Sequence, residues 1–152
     1  MNEPKTYAFA ISTSGAAMST YRGRACTADI ESLFGDFDRV LATHPEPLVA
    51  MTVIEKNATL GDRGRRRLAQ RMREKNNGVV AWAIVVEKSG LWGTATRTII
   101  ATVRLMSKST YAFKVFPTVE EGVVWLQTHS PVSLHTMTTE MGTLRATLTP
   151  AT

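Results

Sequence analysis

Two uninterrupted apolar runs constrain this chain more than any other feature of its sequence. They are Leu48–Ile54, reading Leu-Val-Ala-Met-Thr-Val-Ile, and Val79–Val86, reading Val-Val-Ala-Trp-Ala-Ile-Val-Val. Neither alternates apolar with polar residues, so each predicts a strand covered on both faces, as in the middle of a parallel sheet. The charged stretch between them, opened by residues 59–62 and stopped by Asn77-Gly78, predicts a helix running to about Asn76.

Around that centre, strand and helix patterns take turns. Residues 5–12 hold Tyr7, Phe9 and Ile11 at a period of two, and Thr13-Ser14-Gly15 turns the chain toward a returning strand over 17–24. In the helix that follows, Ile30, Leu33, Phe34, Phe37 and Leu41 recur at three- and four-residue spacing. Thr27 is its expected cap, Glu31 its expected first-turn acid, and His44-Pro45-Glu46-Pro47 its stop. After Ser89-Gly90 a third helix is predicted over 91–106, with Trp92, Thr96, Ile99, Val103 and Met106 along one side. Residues 111–116 alternate as a last strand, and Pro117-Thr118 opens a helix with Val119, Val123 and Leu126 inward. The order β-β-α-β-α-β-α-β-α predicts an α/β fold, a mostly parallel sheet flanked by helices, over residues 1–128. Residues 129–152 are expected to form a C-terminal tail containing an amphipathic helix.

The net charge of +5 acquires meaning once it is located. Between Asp62 and Lys75 stand six arginines and one lysine against two acids, which accounts for the whole excess. The remainder, with 11 basic and 11 acidic residues, is balanced. The basic character therefore belongs to one segment, which weakens a general polyanion-binding reading and sharpens a local one. The single cysteine, Cys26, excludes an internal disulfide, and no apolar run reaches the roughly 20 residues needed to span a bilayer. Met-Asn-Glu-Pro-Lys-Thr lacks the order of a secretory signal, so a cytoplasmic setting is expected.

Three stretches carry a family likeness: Phe34-Gly35-Asp36-Phe37-Asp38, the strand Val79–Val86, and Lys114-Val115-Phe116-Pro117-Thr118-Val119-Glu120-Glu121-Gly122-Val123-Val124-Trp125-Leu126. Together with the element order they resemble the STAS and SpoIIAA-like group of bacterial regulatory domains, related in shape to SEC14-type lipid carriers. The resemblance implies a regulatory or scaffolding module that works through protein partners. It also implies, as an alternative, a carrier or sensor of a small apolar or anionic ligand. Phosphoswitch members of the group present an Asp-Ser-Ser-Gly-like loop after the third strand. Here that stretch is Glu55-Lys56-Asn57-Ala58-Thr59-Leu60-Gly61, in which Thr59 alone can stand in for the serine.

Catalytic patterns are missing from the sequence. His44, His129 and His135 lack metal-ligand spacing, and there is no GxSxG, Walker or GxGxxG motif. No catalytic residue, metal or cofactor is therefore expected, and an enzyme is the least favoured class. Binding candidates remain. In the arginine-rich helix, Leu68, Ala69 and Met72 form a narrow apolar stripe, with Arg66 and Arg73 on one edge and Arg63, Arg67 and Arg71 on the other. These arginines suit an acidic protein surface, anionic headgroups or phosphates, or are simply a solvated face. Without interleaved aromatics to stack on bases, nucleic acid is the weaker partner. Arg65 falls within the apolar stripe and must snorkel or pair with an acid. Glu55 and Glu87 end matching strands at the carboxyl edge, where open α/β sheets bind ligands, with Ser89, Gly90 and Arg97 next to Glu87. The alternative there is a solvated rim. Finally, Leu134, Met137, Met141, Leu144 and Leu148 repeat at 3-4-3-4 spacing. Such a seam packs on a second copy, on a partner helix, or on its own domain.

Overall fold

Tyr7–Ile11 (β1) and Ala17–Tyr21 (β2) pair antiparallel around a turn in which Gly15 takes φ +96°, a conformation other residues adopt only with strain. In the computed structural model the described residues are 4–43, 47–74, 79–87, 97–98 and 112–150, without the side chains of Leu60, Ala69, Met72, Arg73 and Glu74. The helix expected over 91–106 lies outside them apart from residues 97 and 98, as do Ser89, Gly90 and His44. After β2 come Arg24–Ala25 (β3), Thr27–Thr43 (α1), Leu48–Ile54 (β4), Thr59–Leu60 (β5), Asp62–Glu74 (α2) and Val79–Val86 (β6). Ala112–Phe116 (β7), Val119–Leu126 (α3) and Leu134–Arg145 (α4) complete the order.

The main sheet runs β1-β2-β4-β6-β7, antiparallel only between β1 and β2. The two apolar runs are its middle strands, as their composition requires, and nearly every residue of β4 and β6 is buried. The fold is thus α/β with a mostly parallel sheet. One addition was not legible: β3 and β5 pair in parallel as a separate two-stranded ribbon, each too short to carry a period.

Alternating residues divide the core between the two faces. On one face α1 and α2 cover Tyr21, Ala50, Trp82, Ile84 and Val86. Here Trp82 meets the edges of Phe34, Phe37 and Phe113 at centroid distances of 6.0, 5.4 and 5.8 Å. Its indole N–H donates to Thr52 Oγ1 (2.9 Å), which also bonds the Ser19 hydroxyl (2.8 Å), so this buried polar trio is satisfied.

On the other face α3 and α4 cover Met18, Met51, Val53, Ala83 and Val85. Thr118 caps α3 by accepting the Glu121 N–H, and Ser133 caps α4 by accepting that of Thr136. Gly122 allows α3 to lie close on the sheet, since a Cβ there would stand 2.8 Å from Met51 Cε and 3.2 Å from Val85 Cγ2.

Two local expectations change. Cys26, not Thr27, stands at the cap of α1, because the Asp29 carboxylate reaches back to the Cys26 N–H (3.1 Å). The first-turn acid is accordingly Asp29, while Glu31 turns toward α2. Residues 129–152, read as a tail, contribute Val132, Met137, Met141, Leu144 and Leu148 to the same core as the sheet. The 3-4-3-4 seam therefore faces inward in this structure, with only Leu134, at its start, exposed.

Candidate functional site

Strand register decides what stands at the carboxyl edge. Tyr21, Ile54 and Val86 are Cα partners across β2, β4 and β6. Arg22, Glu55 and Glu87 follow each of them by one residue and so lie side by side. The Arg22 guanidinium grips Glu55 through Nε (2.5 Å) and Nη2 (3.1 Å). From the last turn of α4, Arg145 donates Nε to Glu55 (2.7 Å) and both terminal nitrogens to Glu87 (2.8 and 2.6 Å). Arg22 also donates to the carbonyls of Arg145, Leu148 and Thr149, closing the C-terminal end of α4.

The result is a neutral chain of two cations and two carboxylates with Glu55 at its buried centre. Burial alone would push the Glu55 carboxyl up, but the hydrogen bonds and charges of Arg22 and Arg145 outweigh it and hold the group below its ordinary value. For Arg145, burial opposes the charge, and Glu87 and Glu55 more than restore it, so its guanidinium is raised. The two acids expected at a ligand site are thus held by an arginine 90 and 58 residues away. Arg97 reaches the same edge through its Nη1, 3.4 Å from the Val86 carbonyl. Beside the network runs a polar groove of ≈ 330 Å³, lined among others by Glu87, Thr118, Glu120, Thr138 and Arg145. Nothing in the sequence singles out Arg22 or Arg145, because their partners come from strand register and helix docking.

The arginine-rich helix divides in two. Arg67 pairs with Glu31 of α1, and Arg71 lies 3.7 Å from Asp38 with its guanidinium 5.2 Å from the centre of the Phe34 ring. These two expected partner contacts tie α2 to α1 instead, a cation–π contact included. Arg65 pairs with exposed Asp62, which resolves its place in the apolar stripe, and Leu68 is buried. Arg63 and Arg66 are exposed, and the Arg73 side chain lies outside the described residues.

The unforeseen ribbon brings further cations to Arg63. Arg24 on β3 is the Cα partner of Thr59 on β5. The tight turn closed by Ala58 N–H to Glu55 C=O (2.9 Å) carries Lys56, and α2 begins at Asp62. Arg24, Lys56, Arg63 and Arg66 are all exposed, on the ribbon, on the turn that leads into it and on the first turns of the helix that follows it. Nearby acids are engaged: Asp62 with Arg65, Glu31 with Arg67, and Asp29 with the Cys26 N–H. Thr59 is exposed on the same ribbon, its N–H bonded to the Gly23 carbonyl (2.9 Å).

Under the ribbon, between the sheet, α1 and α2, lies an apolar cavity of ≈ 40 Å³. Its wall includes Leu33, Ala58, Leu68, Trp82 and Ile84, and the lining residues that reach solvent are Ala25, Ile54 and Thr59.

A search of solved structures finds a chain of similar architecture, an uncharacterized protein of the DUF3478 family with a SpoIIAA-like fold from Shewanella loihica PV-4. The match covers 83% of this chain and 98% of that one, with a TM-score of 0.56 and 17% sequence identity. This chain has a SpoIIAA-like fold. At that identity the likeness carries the architecture alone. Scans against protein families and curated proteins return no match. Within the SpoIIAA-like frame, the basic end sits where β5 leads into α2, and the ion network stands at the carboxyl edge of the sheet.

Proposed function

We propose that this SpoIIAA-like domain is a non-catalytic regulatory or scaffolding module that docks an acidic segment of a protein partner on its basic end. The observation that carries the reading is the grouping of Arg24, Lys56, Arg63 and Arg66, exposed and without an acid partner among the described residues. By contrast, Asp36 pairs with Arg39, Glu31 with Arg67 and Asp38 with Arg71. A cytoplasmic setting goes with this reading, since Cys26 is a free, exposed thiol. The C-terminal seam is not part of the proposed surface, because its apolar side chains fill the domain's own core.

The ligand-carrier reading fares less well on volume. Pockets for drug-sized ligands span roughly 300–1,000 Å³, and the apolar cavity offers ≈ 40 Å³. The polar groove of ≈ 330 Å³ favours a small polar ligand as the second reading. There Arg145 already holds Glu55 and Glu87, and exposed Glu120 at the rim opposes an anion.

Titration of an Asp- and Glu-rich peptide into isotopically labelled protein tests the proposal. Shifts should gather at residues 24, 56, 59 and 63–66, weaken with salt, and vanish in the Arg63→Glu/Arg66→Glu variant. Shifts at the groove around Thr118 and Thr138, unaffected by that variant, would transfer the function to the second reading.

A further inference from the structure

We infer that the acidic segment carries one small aliphatic side chain, which enters the apolar cavity beneath the β3–β5 ribbon. This rests on the reading above and adds the feature that would make the partner recognisable.

Two observations meet at one place. The cavity opens at Ala25, Ile54 and Thr59, while Arg24 is the ribbon partner of Thr59 and neighbours Ala25. Lys56 and Arg63 lie within four residues of Thr59 on either side. Strand pairing and chain proximity thus place Arg24, Lys56 and Arg63 near the residues of the apolar opening, so an acidic segment drawn to them is brought toward it.

The interior selects the anchor. Thr52 Oγ1 is occupied by the Trp82 indole and the Ser19 hydroxyl, and Tyr21 OH is directed to the Asp29 carbonyl (3.3 Å). The deep walls otherwise come from Ile30, Leu33, Leu68 and Ile84, with the Thr59 hydroxyl only at the mouth, so the interior has no open polar group to orient a polar ligand or to hold a water by its usual two to four partners. A volume of ≈ 40 Å³ suits a small aliphatic group and falls far short of what a lipid chain needs. A valine-sized anchor fits that space, and the carboxylates flanking it would meet the surrounding cations.

Two acidic decapeptides, identical except for a central Val or Thr, test this by titration calorimetry and methyl NMR. Val and Thr share a shape, so their difference isolates the apolar contact. The Val peptide should bind about tenfold tighter, since Thr buries one methyl fewer and strips water from a hydroxyl that finds no partner inside. Only the Val peptide should move the methyl resonances of Leu33 and Ile84. Ala58→Leu, which fills the cavity, should remove the preference, and Arg63→Glu/Arg66→Glu should weaken both peptides alike. Equal affinities in the unaltered protein, with still methyls, would overturn the anchor and leave the acidic-partner reading standing. Binding of neither peptide would overturn both. If Ala58→Leu does not fold, the methyl shifts in the unaltered protein decide alone.

Discussion

Arg145 and Glu87, 58 residues apart in the chain, form a two-point ion pair of 2.8 and 2.6 Å that joins the last turn of α4 to the end of β6. The same guanidinium holds Glu55 at the end of β4, and Arg22 holds Glu55 from the other side. A strand edge that in other open α/β sheets receives a ligand is thereby closed by the protein's own last helix. The consequence for stability is direct: α4 is fastened both by Met137, Met141 and Leu144 beneath it and by charge at its end.

Arg145→Met should lower the unfolding free energy by about 2 kcal/mol, since among the described residues it strands Glu55 with one cation and Glu87 with none. Glu87→Gln should cost less, on the order of 1 kcal/mol, because Glu87 is the more exposed of the two acids. Urea unfolding of both variants checks the order. Equal, negligible losses would mean that the apolar face of α4 holds the helix without help from the pairs.

The network also sets an acid limit. Glu55 is held below its ordinary value in the folded protein, so the unfolded chain takes up the proton first as pH falls. The stability that Glu55 contributes is full above the unfolded carboxylate value of about 4.3 and is lost as pH drops through the lower folded value. Glu31 and Glu140 shift in the same direction, through Arg67 and through the Ser12 hydroxyl respectively, but stand largely in solvent and add less. Glu55→Gln should therefore flatten the slope of stability against pH below about 4.3, measured by urea midpoints from pH 6 to pH 3. An unchanged slope would assign acid sensitivity to other groups.

The sheet was largely legible because its two middle strands are apolar on both faces, and only a parallel interior accommodates that. α1 and α3 were legible through their stripes, and Leu68 through its place in α2. The site was less so. Arg67 and Arg71 read as free because their partners, Glu31 and Asp38, lie on another helix more than thirty positions away. The seam of α4 read equally well as a dock or as core, since spacing states which residues share a face and not what that face meets. Arg24 and Lys56 carried no periodic signal at all. They join Arg63 only through a two-residue ribbon, whose pairing depends on where β2 and β4 end.

The two halves of the arginine helix should separate in a charge-reversal series. Arg63→Glu and Arg66→Glu should each leave the melting temperature nearly unchanged, because both side chains are exposed. Arg67→Glu and Arg71→Glu place a carboxylate against Glu31 and Asp38, and the second also removes the guanidinium from the Phe34 ring. Each should cost about 1–2 kcal/mol, read by thermal melting at low and high salt, with the loss partly relieved by salt. If Arg63→Glu proves as damaging as Arg71→Glu, the proposed docking face is structural.

Thr52→Val tests the polar trio at the floor of the cavity. Valine keeps the shape of threonine but offers no oxygen, so the Trp82 N–H and the Ser19 hydroxyl lose their shared partner in a buried site. A buried donor left unpaired costs roughly 1–3 kcal/mol, and the expected loss lies near the middle of that range. Thr52→Ser retains the oxygen and should recover most of it, which separates the hydrogen bonds from the packing. Trp82 meets Phe34, Phe37 and Phe113, so its near-ultraviolet dichroism reports whether the ring keeps its place. A Val variant as stable as the parent, with unchanged dichroism, would show that the indole finds another acceptor, and the cavity floor would then be more adaptable than its hydrogen bonds imply.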